Sequence, residues 1–277
     1  MRRRRRGPRS ADSELRRRMH TGPALANLVE SSGATSVEPA AAWGAAERVI
    51  WHANVQGLRS STAELVGRIR MCERRPDVLC LKETFLNKTI GEVPIEGYEQ
   101  IARLDREIGE VAITRGGVVV YAACAISGQV TLIEKSVEAE RLWLLIHTER
   151  GPVMLGARYR RPEAETATIA SGVVERERLR SQALGTLLVG DINVHHESWL
   201  KFSTGVKQGG EDMRCAAAEM GLVQLVDKPT HRAKHARKAH LLDWTLSNSD
   251  GVKVEVLPKL QTTMCWCLRR RCLSQLL

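Results

Sequence analysis

Apolar residues in this chain fall into short runs of strand length, separated by segments in which they recur at helical spacing. The runs rich in Val, Ile and Leu predict strands at 49–54, 78–81, 117–122, 141–147, 153–159, 186–190, 222–226, 241–246 and 252–256. Helical spacing, with a capping box at 61–64, predicts helices at 61–72, 164–184 and 212–220. Strands that alternate with helices and with hairpin-like pairs of strands are typical of an α/β fold in which helices cover the sheets.

The predicted elements form one domain over residues 48–263. Residues 1–47 precede it and are first Arg-rich and then rich in Ala, Ser, Gly and Pro without periodicity, which predicts a disordered leader. Three interpretations of the arginine run stand side by side: a nuclear address, a DNA-binding arm, or an accident of where translation was taken to start. A mitochondrial transit role ranks behind them.

Composition is that of an ordinary globular protein, with 277 residues of which 43% are hydrophobic and 27% charged. The longest apolar run, at 118–126, is far shorter than the roughly 20 residues of a membrane span, so we expect a soluble protein without membrane contact. The net charge of +10 lies entirely in residues 1–20 and 261–277, and the body between them is neutral. A nucleic-acid surface in the body must therefore be local.

The seven cysteines form no Cys-x-x-Cys pair, and no secretory segment precedes them. This pattern predicts a reduced intracellular compartment. Cys265, Cys267 and Cys272 match no common zinc spacing, so chance cysteines in a tail are the favoured interpretation.

Polar side chains stand at or just beyond the ends of several predicted strands. Their set is Asn54, Glu83, Tyr159, Asp191, Asn193 and Asp243. Each alone is explained by a turn or a helix cap. Together, at the strand ends where α/β sheets bind ligands, carboxylates and amides indicate a hard cation such as Mg²⁺ and phosphate-ester chemistry.

Three of these residues lie in two segments that resemble a known family. Residues 81–86, Leu-Lys-Glu-Thr-Phe-Leu, are similar to the LQETWL segment of the endonuclease/exonuclease/phosphatase family, and residues 190–199 are similar to its GDFNAHH..W segment. The paired His and trailing Trp of the second segment resemble the endonuclease domain of non-LTR retrotransposons. Supporting matches follow the family's order at 51–58, 157–162, 228–231 and 241–248. The resemblance implies a DNase I-like, four-layer α/β/β/α sandwich.

The resemblance also implies roles at the strand ends. Glu83 would bind Mg²⁺, or alternatively Mn²⁺, with Asn54 beside it. Asp191 would orient or activate the attacking water, Asn193 and Tyr159 would donate hydrogen bonds to the phosphate, and Asp243 would support a catalytic His.

Substrate contacts are expected from Arg160, His196, Arg232 and Lys234. His195 and His196 are interpreted as structural or as lying at the substrate's edge, not as the catalytic base. The loop that contains His231, Arg232 and Lys234 is interpreted equally as a solvated loop or as a contact to the DNA backbone.

The family's final Ser-Asp-His and the apolar strand after it have no counterpart in the sequence. Where they should fall stands Met264-Cys265-Trp266-Cys267. Shifted by one base, codons for these four residues encode Val-Leu-Val after a residue that can be His. We hypothesise a frameshift near Thr262 that replaced the catalytic His and the last strand by an unrelated basic tail over 264–277, leaving an open sheet edge.

The expected function is a Mg²⁺-dependent DNA endonuclease of retrotransposon origin that leaves a 3′-hydroxyl, impaired by the loss of its His. The alternatives are an abasic-site repair endonuclease and an inactive remnant that at most binds nucleic acid. We expect DNA as the partner, a monomer, a nuclear location, and no polymerase domain within these 277 residues.

Overall fold

The computed structural model describes residues 48–106, 115–231, 239–257 and 265–269, the last for their backbone only. All of them fall in one compact unit, Pro39–Leu277. The Arg-rich leader, the loop with Arg232 and Lys234, and most of the basic tail lie outside the described residues. Within the described part, no helix has the length and apolar character that a membrane span requires.

Two six-stranded sheets form the frame of the fold. The first has the order β11-β12-β1-β2-β4-β3, with β1 Ile50–Asn54, β2 Val78–Lys82, β3 Tyr98–Leu104, β4 Val118–Ala123, β11 Lys253–Val256 and β12 Cys265–Arg269. The second has the order β5-β6-β7-β8-β10-β9, with β5 Val130–Ser136, β6 Arg141–Thr148, β7 Gly151–Tyr159, β8 Gly185–Asp191, β9 Val223–Gln224 and β10 Asp243–Ser247. The helices are α1 Leu58–Met71, α2 Ala167–Leu179 and α3 Gln208–Glu219, with single 3₁₀ turns at Ser127–Gln129 and Arg180–Gln182.

Three apolar clusters separate four layers. Alternate residues of the central strands, such as Val120 and Leu155, meet between the two sheets. The opposite face of the first sheet packs against Leu58, Leu65 and Ile69 of α1. The outer face of the second sheet packs against α2 and α3 in a third cluster. Because strand side chains alternate between faces, each central strand contributes to two clusters. The predicted four-layer α/β/β/α sandwich is thus confirmed.

The predicted capping box at 61–64 is wrong. Helix α1 begins at Leu58, directly after Gly57, whose φ of +108° turns the chain out of β1. Ser61 lies inside the helix, and its hydroxyl donates to the Val55 carbonyl at 2.7 Å. The serine ties the helix to the end of β1 instead of capping it.

Residues 265–269 form a strand where the sequence predicted none. Strand β12 pairs antiparallel with β1, with Ile50 opposite Leu268, and antiparallel with β11, with Lys253 opposite Arg269. The open sheet edge expected from the loss of the last strand is therefore not found beside β1, because β12 pairs there. Backbone groups at an unpaired edge can accept any extended segment that reaches them. The backbone of the tail satisfies this edge whatever the origin of its residues.

Candidate active site at the strand ends

The polar residues predicted at the strand ends come together at one end of the central strands of the two sheets. Asn54 ends β1 and Glu83 follows β2, and these strands are parallel neighbours. In the second sheet Asp191 is paired with Tyr159 on the parallel strand β7 and with Asp243 on the antiparallel strand β10. The end of β8 and the start of β10 are consequently side by side.

Asn54 joins the carboxylates of the two sheets. Its Nδ2 donates to Glu83 Oε1 at 2.6 Å and to Asp191 Oδ2 at 3.1 Å. Asn54 and Asp191 are buried at 8% and 5% exposure. One amide thus holds two carboxylates, one from each sheet, toward a common point.

Asp191 carries the most perturbed carboxyl group of the site. Burial and the nearby negative charge of Asp243 raise its pKa to about 8, although Lys82 and the hydrogen bond from Asn54 act in the opposite direction. Its second oxygen, Oδ1, is buried without a hydrogen-bond partner among the described residues. A buried acceptor without a partner is costly, and a ligand that supplies a donor or a positive charge removes that cost.

Tyr159 lies against the same carboxylates. Burial and the negative charges of Glu83 and Asp191 raise its pKa above the usual range, and its hydroxyl donates to Glu83. The Arg106 guanidinium stacks over the ring, 5.3 Å from its centroid. The phenol therefore keeps its proton and remains a hydrogen-bond donor beside the site.

Arg106 is held in place by Glu140, a residue that the sequence analysis did not identify. Glu140 Oε1 accepts from Arg106 Nε at 2.6 Å, and Oε2 accepts from the Gly117 amide at 2.9 Å. The Glu140 carbonyl also accepts from the Tyr159 amide at 3.0 Å. Glu140 thus fixes the arginine over Tyr159.

A second group of charges lies behind the carboxylates. Lys82, at the end of β2, donates to Asp243 Oδ1 at 2.7 Å, and its Nζ lies 3.1 Å from His52 Nδ1. The other ring nitrogen of His52 is 3.2 Å from the Thr245 hydroxyl. Neither Lys82 nor His52 was identified from the sequence, although a polar pair on two buried strands is itself a signal.

Several solved structures share this architecture. The AP endonuclease LMAP from Leishmania major superposes with a TM-score of 0.64 at 14% identity, covering 82% of this chain and 88% of its own. The endonuclease domain of TRAS1, a telomere-specific non-LTR retrotransposon, has a TM-score of 0.57 at 15% identity, covering 82% and 99%. An endonuclease/exonuclease/phosphatase from Bacteroides vulgatus has 0.56 at 12%, covering 82% and 99%. The chain has the endonuclease/exonuclease/phosphatase fold. Compared by sequence alone, it matches no family model and no curated protein.

Strained backbone marks the site of this endonuclease/exonuclease/phosphatase fold. Glu83, Glu140 and Asn193 adopt φ values of +51°, +43° and +50°, in the left-handed region that side chains seldom occupy. Gly190 directly precedes Asp191, and a Cβ added at Gly190 would stand 2.5 Å from the Arg158 carbonyl oxygen. Gly190, inside β8, is therefore required by the close approach of β8 to its parallel neighbour β7.

Two of the predicted substrate contacts are turned inward. Arg160 is buried at 5% exposure, and its guanidinium donates to the carbonyls of Ile192 and Ala164. His196 is 4% exposed, and its Nε2 lies 2.8 Å from Glu211 Oε2. In the described structure both side chains therefore have hydrogen-bond partners within the protein. Asn193, expected to donate to the phosphate, donates from its side-chain amide to the Arg160 carbonyl at 2.9 Å in this structure.

The oxygen-rich centre fits the magnesium ion that the sequence resemblance implies. Among the residues described, no group of three or more His, Cys, Asp or Glu side chains gathers in a way that could hold a metal. The donor set is instead two carboxylates and an amide, with Asp191 Oδ1 lacking a partner. Mg²⁺ is commonly held by one or two carboxylates and keeps several waters, so this set suits it.

Proposed function

We propose that the protein is a Mg²⁺-dependent endonuclease that hydrolyses a phosphodiester of DNA and leaves a 3′-hydroxyl. The observation that carries this proposal is the junction of Glu83 and Asp191 at the Asn54 amide, where a half-buried and a buried carboxyl group meet at the ends of strands. The named structural neighbours, an AP endonuclease and a retrotransposon endonuclease domain, support a nuclease of this kind.

Each side chain has a role that follows from its chemistry. Glu83 and Asn54 would hold the ion, which when bound supplies positive charge to the phosphate oxygens. Asp191 in its ionised form would take the proton of the attacking water, since its Oδ1 is the acceptor left without a partner among the described residues. Tyr159 keeps its proton and would donate to the developing negative charge on the phosphate, where such donors act most strongly.

Asp243 would act through a neighbour and not on the phosphate. Its Oδ1 accepts from Lys82, and Thr230 Oγ1 lies 3.1 Å from its backbone amide. The site thus holds Asp243 beside Asp191 in a fixed position. In the resembling family the partner of this Asp is a catalytic His. We expect the lack of that His to lower the rate of DNA cleavage by about 10²–10⁴-fold.

The test is nicking of supercoiled plasmid by the purified chain in Mg²⁺, with Glu83→Gln and Asp191→Asn as loss-of-function variants. Glu149→Gln is the matched control, because Glu149 is exposed in the turn before β7, at the end of that strand opposite Tyr159. We expect slow, EDTA-sensitive nicking that both site variants abolish and the control retains. Nicking that persists in both site variants would assign the activity elsewhere.

The same assay separates the alternatives. An oligonucleotide duplex with one abasic site is compared with the intact duplex, because the structural neighbours include AP endonucleases. Preferential cleavage at the abasic site favours a repair endonuclease. Binding that needs no metal, weakens steeply with salt and leaves both duplexes uncut favours an inactive remnant and contradicts the proposal.

A further inference from the structure

Lys82 is a fully enclosed lysine that the proposed chemistry does not use. It is 1% exposed at the end of β2, and lysine is almost never buried to this extent unless it is paired. Its ion pair with Asp243 spans the space between the two sheets, since β2 belongs to the first and β10 to the second.

The neighbours of Lys82 are arranged to receive an ammonium group. Burial and the positive charge of Lys82 hold the pKa of His52 well below its usual range, so the imidazole is neutral. An ammonium group only donates hydrogen bonds, so His52 Nδ1 accepts from Lys82 and Nε2 carries the proton toward Thr245. The lysine is therefore held between one carboxylate and one neutral ring nitrogen.

The charges around this lysine are unbalanced without it. Glu83, Asp191 and Asp243 bring three carboxyl groups together at the strand ends, because the Asn54 amide joins Glu83 to Asp191 and Asp191 is paired with Asp243 on the neighbouring strand. Arg106 is already paired with Glu140. Among the described residues, Lys82 is thus the cation available to these three carboxyl groups, and with all three ionised it changes the net charge of the group from −3 to −2.

We propose that Lys82 is a built-in cation of the metal site, which positions Asp243 and limits the centre to one divalent ion. A net charge of −2 is matched by a single dication, whereas −3 attracts that ion more strongly and leaves charge for another. The resembling LQETWL segment has an uncharged Gln where this chain has Lys82. This inference rests on the proposed function for the existence of the site, but not for the rate of any reaction.

Mn²⁺ binding to the full chain without DNA tests the proposal. Isothermal titration and the electron paramagnetic resonance signal of free Mn²⁺ give the affinity and the number of ions. Lys82→Gln removes the charge and can still donate to Asp243. Lys82→Gln combined with Asp243→Asn removes one charge of each sign. Lys135→Gln is the matched control, because Lys135 is exposed on the edge strand β5, four strands from β10.

We expect one Mn²⁺ per wild-type chain, and in Lys82→Gln about tenfold tighter binding or a second ion, as expected for one unit charge acting on a dication through a partly solvated site. The double variant should return to the wild-type affinity, which a purely structural lysine would not produce. Thermal melts confirm that each variant is folded.

The outcomes separate the two proposals. Wild-type binding of one ion with unchanged or weaker binding in folded Lys82→Gln overturns the role of Lys82 alone. Two ions in the wild-type chain also overturn it. No Mn²⁺ binding by the wild-type chain removes the metal site itself, and with it both the role of Lys82 and the metal dependence of the proposed function.

Discussion

Replacing Asp191 by Asn should stabilise the metal-free protein above neutral pH. Burial and the charge of Asp243 raise the pKa of Asp191 to about 8 in the folded chain, from 3.8 for an ordinary Asp. At a pH between these two pKa values, Asp191 keeps its proton in the folded state and releases it in the unfolded state. The stability that this protonated carboxyl contributes is complete below pH 4 and is lost as the pH rises through 8.

The size of the effect follows from the difference in bound protons. One proton held by the folded state and released on unfolding lowers the free energy of unfolding by about 1.4 kcal/mol per pH unit. The amide side chain introduced by Asp191→Asn does not titrate, so the wild-type stability should fall relative to that of the variant with this slope between about pH 5 and 7. Comparing the two chains at each pH removes the titration of every other group.

Unfolding by guanidinium in the presence of EDTA gives the free energy of unfolding of the wild type and of Asp191→Asn. Tryptophan fluorescence follows the transition, because Trp51, Trp143 and Trp244 are at most 2% exposed and become solvated on unfolding. Asp250→Asn removes an exposed carboxylate by the same chemical change and should follow the wild type. A stability difference between wild type and Asp191→Asn that stays constant from pH 5 to 8 would refute the reasoning. Added Mg²⁺ at pH 7 should stabilise the wild type more than Asp191→Asn, because the ion can replace the proton.

Three further substitutions test other parts of the structure. Gly190→Ala places a Cβ 2.5 Å from the Arg158 carbonyl and should lower the free energy of unfolding by about 1–3 kcal/mol, whereas Gly128→Ala, with nothing within 4 Å, should not; chemical unfolding of both decides. Arg141→Met leaves Glu175 without its buried partner at 2.7 Å and should cost about 3–5 kcal/mol, against less than about 1 kcal/mol for the exposed pair lost in Arg180→Met, by the same measurement. Tyr159→Phe should slow plasmid nicking by about 10²-fold. The control is Tyr121→Phe, because the Tyr121 hydroxyl donates to the Val93 carbonyl outside the site, and this variant should nick plasmid at the wild-type rate.

The central strands and the polar residues at their ends were predictable because both signals are local. Strands β1, β2, β7 and β8 are buried throughout apart from the first residues of β7, so each is a run of apolar residues, and the polar residue that follows marks where the strand leaves the core. Strands β3 and β5 were missed because they lie at sheet edges, mix charged with apolar residues, and each contains a register shift. Their pairing depends on a neighbour distant in sequence, and no local pattern encodes it.

The charge network behind the site was missed for a related reason. Lys82 and Asp243 are separated by 161 positions, and Arg106 and Glu140 by 34. Each of these residues alone has an ordinary place in a turn or at a strand end. Only the closing of the two sheets brings the partners within hydrogen-bonding distance. The pairing is therefore a property of the topology, although the residue types that form it are visible in the sequence.

The strain and the charge of the site have one physical explanation. Glu83, Glu140 and Asn193 hold left-handed backbone conformations that glycine would adopt at lower cost, and Asp191 keeps a buried oxygen without a partner. Such features persist only where the surrounding structure enforces them. Here two sheets, the Asn54 amide and the Lys82–Asp243 pair enforce them together. Stability is lowered at the strand ends, where a bound cation would restore it, and this is the arrangement expected if the proposed metal site is preorganised.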